Sequence, residues 1–94
     1  MNNTNSLHNV TLYGKEGCHL CENAREALLT MASELDINIE LDEIDIRSDP
    51  TLFEKYKYTI PVMIIDRSIK LECPIYEKAL YRALTEGYGP KFEV

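Results

Sequence analysis

Cys18-His19-Leu20-Cys21 places two thiols at C-x-x-C spacing directly after a short apolar run, Val10-Thr11-Leu12-Tyr13, and Gly14. A long amphipathic segment follows. Strand, tight turn, C-x-x-C and helix is a redox arrangement. The spacing puts both sulfurs at the first turn of a helix, where unpaired N–H groups and a partial positive charge collect. A thiolate there is stabilised, so its pKa falls and its reactivity rises. Cys18, first at the helix start, is expected to be the nucleophile. Cys21, one turn in, is the resolving thiol that attacks the mixed disulfide made by the first. His19 between them is open to two readings: a plain exposed side chain, or a positive charge that makes the disulfide more oxidising. A packed, inert pair and a metal site are the rival readings. C-x-x-C is half of a zinc site, but a second pair is missing. His8, His19 and Cys73 are the only further soft ligands, so no metal is expected. Cys73 itself is read as a buried cysteine without a role, lying toward the active-site end.

Several elements must hold this pair. Leu7 to Tyr13 reads as the first strand, with Val10 and Leu12 on one face. A helix is expected from about Cys18 to Leu35, burying Leu20, Ala24, Ala27, Leu28, Met31 and Leu35. Ile37 to Ile46 reads as a strand whose alternation changes phase between Leu41 and Ile44, which implies a bulge or pairing of the second half alone. Asp49-Pro50 opens a short helix with Leu52, Phe53 and Tyr56 on its apolar face. Pro61 to Asp66 is the continuous apolar run of a central strand, and Ile69 with Leu71 marks a short strand after a turn. Pro74 is expected to open the last helix, burying Ile75, Tyr76, Ala79, Leu80, Ala83 and Leu84, and Gly87 to end it. Tyr76, Tyr81 and Tyr88 are expected to pack rather than bind. Asp42, Glu43 and Asp45 read as a solvated strand edge. The order β-α-β-α-β-β-α predicts an α/β fold, a mixed four-stranded sheet flanked by helices.

The chain has 94 residues, enough for one small domain spanning 1–94, with 1–6 expected to be a frayed tail. Three cysteines are too few for a disulfide scaffold and suit a reducing compartment. The polar N-terminus does not read as a signal peptide, and no apolar run approaches the roughly 20 residues that span a bilayer. A cytoplasmic protein is expected. The net charge of −6 disfavours nucleic acid and anionic membranes as partners.

Lys15-Glu16-Gly17-Cys18-His19-Leu20-Cys21 and Thr59-Ile60-Pro61, in this element order, resemble the glutaredoxins, and most of all small bacterial glutaredoxin-like proteins with a C-H-L-C motif. The resemblance runs from about Val10 to Gly87 and implies a thioredoxin-like fold and a dithiol thiol–disulfide oxidoreductase. It makes Pro61 a cis proline facing the cysteines, with Thr59 and Ile60 offering backbone groups to an extended thiol substrate. It sets Lys15 near the thiolate and a glutathione carboxylate, and counts His19 among the substrate contacts. No bound cofactor is implied. Glutathione or another thiol reductant is the co-substrate, and protein or small-molecule disulfides and a reductase are the partners of a monomer. The same fold also serves redox-sensing or partner-binding modules without turnover, an alternative the residues leave open. Two departures stand out. The Gly-Gly that glutaredoxins carry before the last helix is replaced by Leu71-Glu72-Cys73-Pro74, which adds a charge and removes an N–H donor. The acidic residue that thioredoxins bury in the first strand is missing, as is their Trp.

Overall fold

The structure, a computed structural model, describes residues 7–93; the expected frayed tail at 1–6 lies outside them. Strand β1 (Leu7–Gly14) is followed by helix α1 (His19–Glu34), β2 (Asn38–Asp45), a 3-10 turn (Ile46–Ser48), α2 (Pro50–Tyr56), β3 (Val62–Ile65), β4 (Ile69–Glu72) and α3 (Glu77–Glu86). The sheet order is β2-β1-β3-β4. β1 and β2 run parallel, and β3 is antiparallel to both of its neighbours. This is the α/β order expected from the sequence, with β3 central and buried along its whole length.

The period-two alternation of each strand divides the core between the two faces. Val10, Leu12, Met63, Ile65, Ile69 and Leu71 meet Leu28 of α1 and Leu80 and Leu84 of α3 on one face. On the other, Val62 and Ile64 meet Ile46 and Tyr56, with Tyr13, Leu52, Phe53 and Phe92 packed around them. The same division explains the phase change in β2. Its register with β1 is unbroken from Leu7↔Asn38 to Gly14↔Asp45, so there is no bulge and the whole strand is paired. Ile37, Ile39 and Leu41 serve the first face and Ile46 the second. The strand changes the face it fills, not its register.

Three expectations about side chains need correction. Leu20 is 56% exposed. Cys21 already lies against Gly14, the last residue of β1, so Leu20, one residue earlier, has no strand beneath it. α3 starts at Glu77, not at Pro74; Pro74 stays in the turn after β4, and a carboxylate fills the first helical position, where the dipole favours it. Tyr76 is therefore the N-cap, outside the helical repeat, and is 67% exposed. Tyr81 and Tyr88 are exposed as well, so none of the three tyrosines is a core residue.

Beyond Gly87, which caps α3 in the left-handed region, the chain returns to the sheet. Lys70 N–H donates to the Pro90 carbonyl at 2.9 Å, and Phe92 N–H to that of Ser68 at 2.9 Å. Nothing in the sequence pattern marked this return, because it rests on backbone groups.

Candidate redox site

Lys15-Glu16-Gly17-Cys18 closes as a turn, with Cys18 N–H donating to the Lys15 carbonyl at 3.3 Å. Gly17 takes φ of 81°, the value a type II turn needs at its third position. Cys18 emerges extended, as the N-cap of α1. Its Sγ accepts the Cys21 N–H at 3.2 Å, in the place usually taken by a Ser or Asp oxygen. The carbonyl of Cys18 accepts from Glu22 N–H at 3.1 Å, the first helical bond. Cys18 and Cys21 are joined as a disulfide across a Cα–Cα distance of 5.2 Å. Cys18 is partly exposed and Cys21 is 7% exposed.

The seat of Cys21 is made by Gly14. A Cβ built there would stand 2.9 Å from Cys21 Sγ and 3.1 Å from its Cβ. Gly14 is thus a residue the site requires and sequence reasoning missed. The available signal was a glycine that ends the strand just ahead of the motif.

Sheet register places the remaining residues. Tyr13 pairs with Val62, Val62 with Glu72, and Gly14 with Asp45. One step further along the sheet, Asp45, Gly14, Pro61 and Cys73 fall in one row at its end, and alternation assigns them all to the face that α1 covers. Cys73 N–H confirms the row's last member by donating to the Pro61 carbonyl at 3.0 Å. Pro61 is buried, and the Ile60–Pro61 and Cys73–Pro74 peptide bonds are both cis. Thr59 and Ile60 N–H groups both donate to the Tyr56 carbonyl, at 2.9 and 3.1 Å, and the Thr59 carbonyl accepts from Cys73 N–H at 3.4 Å. The Ile60 carbonyl is the backbone group of this pair that no described residue occupies.

On the β2 side of Cys21 lies a cavity of about 300 Å³, lined by Gly14, Lys15, Glu22, Arg25 and Asp45 among others. It brings Lys15 to the same cavity as Cys21. Ion pairs frame it. Arg25 Nε meets Glu43 at 2.9 Å, and Arg47 meets Asp45 at 2.6 Å and Glu16 at 3.9 Å. The hydrogen bond from the Arg47 side chain, with that from its backbone N–H, holds the Asp45 carboxyl far below the ordinary carboxylate range. The acidic edge of β2 is solvated as expected, with Glu43 and Asp45 also paired to arginines. His19 is exposed at the first position of α1. His8 contacts Asp66 at 2.6 Å, near the end of β1 opposite to Gly14 and the cysteine motif. Among the described residues, no three His, Cys, Asp or Glu side chains converge as metal ligands.

A four-stranded mixed sheet with a helix-capping C-x-x-C disulfide at the end of β1 defines a thioredoxin-like redox module. The chain belongs to the family described as the glutaredoxin-like domain (DUF836), whose model matches residues 9–85. It is similar to a Dictyostelium discoideum protein described as a glutaredoxin-like protein YDR286C homolog, with 32% identity over 85 residues, covering 86% of this chain and 78% of that one. Among solved structures it resembles protein Ne2328 from Nitrosomonas europaea, with a TM-score of 0.75 and 26% identity over 90% of this chain and all of that one. It also resembles protein XcR50 from X. campestris, with a TM-score of 0.66 and 26% identity, covering 84% of this chain and 97% of that one.

Proposed function

We propose that this protein is a dithiol thiol–disulfide oxidoreductase in which Cys18 attacks and Cys21 resolves. The observation that carries the reading is the N-cap position of Cys18, whose sulfur accepts an N–H hydrogen bond at 3.2 Å while Cys21 waits one turn inside. That bond and the helix dipole favour the thiolate over the thiol. In the reduced protein, the Cys18 thiolate attacks one sulfur of a substrate disulfide. The substrate S–S bond breaks, its other sulfur leaves as a thiolate and takes up a proton, and a mixed disulfide forms on Cys18. Cys21 loses its proton and attacks the Cys18 sulfur, which releases the second substrate thiol and leaves the Cys18–Cys21 disulfide. The substrate gains two electrons and the protein loses two; a dithiol reductant restores it.

Pro61 shares a row with Gly14, on which Cys21 packs, which supports a place for it at the site, where the Ile60 carbonyl would offer an acceptor to a substrate N–H. Thr59 braces this loop through its bond to Tyr56. Lys15 adds positive charge before Cys18 and attracts an anionic or thiolate-bearing substrate, and the exposed His19 after it offers a further polar contact. The test is reduction of insulin disulfides with dithiothreitol as the reductant. The parent chain is expected to accelerate it well above dithiothreitol alone, and Cys18→Ser to abolish the acceleration. A parent rate equal to that of dithiothreitol would assign the chain to redox sensing or partner binding without turnover.

A further inference from the structure

The opposite flank of the sheet, along β4, carries a feature that thiol exchange alone does not use. Two cavities adjoin there, of about 520 and about 290 Å³. They share Tyr76, Ala79 and Pro90, so they form one groove between α3, the outer side of β4 and the C-terminal segment. Its lining is largely apolar, with Tyr76 and Tyr88 exposed on its walls at 67% and 59%. The Arg82 guanidinium lies over the Tyr88 ring at 4.1 Å.

Charge separates this groove from the rest of the molecule. Lys78, Arg82 and Lys91 line it, while the side chains of Lys70 and Glu72, which alternate with Ile69 and Leu71, turn to the opposite face of the sheet, where the Lys70 ammonium lies over the Tyr56 ring at 5.6 Å. These are three of the ten basic residues in a chain of net charge −6. One of the three is partly neutralised, Arg82 by Glu86 at 3.3 Å. The groove is still a basic, aromatic stripe on an acidic protein.

Backbone geometry sets the shape of an occupant. The C-terminal segment covers the outer edge of β4 only at Ile69 and Lys70. Cys73 N–H points inward to β3, so alternation turns the Glu72 N–H and carbonyl outward, past the end of that cover. An extended chain can pair there. That end of the groove adjoins Cys73, whose row runs through Pro61 to Gly14, the residue on which Cys21 packs.

We propose that this groove docks a protein partner through an extended segment in which acidic residues alternate with apolar or aromatic ones, delivering the partner's disulfide to Cys18. The delivery rests on the redox function proposed above; the binding does not. The probe is a short cysteine-free peptide alternating Glu with Phe and Leu, compared with its counterpart bearing Lys in place of Glu. Fluorescence anisotropy measures affinity, and amide NMR shifts locate the site on the oxidised protein, where no exchange can occur. The acidic peptide is expected to bind, to shift the Glu72, Ala79 and Gly89 amides, and to weaken as salt rises. The double substitution Lys78→Glu with Arg82→Glu is expected to weaken it about tenfold or more, and Tyr88→Ser to weaken it without a change of net charge. Equal binding of the Lys peptide, shifts confined to the Cys21 cavity, unchanged affinity in both variants, or closure of the groove by a second copy would overturn the proposal. Insulin turnover without acidic-peptide binding would remove the groove and keep the redox reading; binding without turnover would do the reverse.

Discussion

At the scale of single residues, the site depends on one residue that is absent by design of the chain, the side chain of position 14. Gly14→Ala would force a methyl to 2.9 Å from Cys21 Sγ. Overfilling a close-fitting site costs about 1–3 kcal/mol. The urea midpoint of the oxidised protein is expected to fall by that equivalent with an unchanged slope; an unchanged midpoint would show that Cys21 has room to move. Cys18 and Cys21 differ in the same local terms. Cys18 receives an N–H bond and is partly exposed, and Cys21 is buried. Iodoacetamide at neutral pH is therefore expected to label Cys18 of the reduced protein much faster than Cys21 or Cys73, as read by peptide mass mapping. Faster labelling of Cys21 would reverse the two roles.

At the scale of elements, the site is a row across the end of the sheet, held by helices on both faces. Leu28 in the middle of α1 is fully buried against the strands that form the row. Leu28→Ala is expected to cost about 2–5 kcal/mol in a denaturant titration. Asp45, at the β2 end of the row, caps the 3-10 turn and binds Arg47. Its carboxyl is held below its ordinary value, so its contribution to stability is present above the unfolded-state pKa and is lost as pH falls toward the folded one. Asp45 lies on the surface, so the effect is modest and screened by salt. Asp45→Asn is expected to be less stable than the parent at neutral pH, and the gap to narrow as pH drops below about 4; a gap constant with pH would mean the charge contributes nothing. The element order, the central β3 and the start of α1 at the cysteine motif were all legible, because each is written in local periodicity or turn chemistry. What was not legible depended on partners far away in sequence. The phase change in β2 only makes sense once two cores face it, Leu20 is exposed because the sheet ends beneath it, and Gly14 gains its role only when Cys21 folds back on it.

At the scale of the whole molecule, charge distribution bears on which thiols the proposed redox site would accept. Net charge is −6, and the resemblance to glutaredoxins implies that Glu72 and Pro74 stand where those proteins receive a carboxylate. Lys70 pairs with Glu72, which softens the repulsion, but Pro74 still offers no N–H. Glutathione mixed disulfides are therefore expected to be poor substrates beside a dithiol-driven protein disulfide. Glu72→Gly should raise their steady-state turnover, and efficient turnover by the parent, unchanged in that variant, would show that the departure carries no functional weight. The fold and the cysteine pair were readable before any coordinates; the groove along β4 was not, because Tyr76 and Tyr88 carried helical or terminal spacing that suggested burial. The central claim is that Cys18 alone attacks and Cys21 alone resolves. The measurement that tests it most directly is trapping: reduced Cys21→Ser is mixed with a protein disulfide and the products are mapped by mass spectrometry. The account predicts a long-lived mixed disulfide on Cys18, released at once when Cys21 is present. A mixed disulfide on Cys73, or none at all, would contradict it.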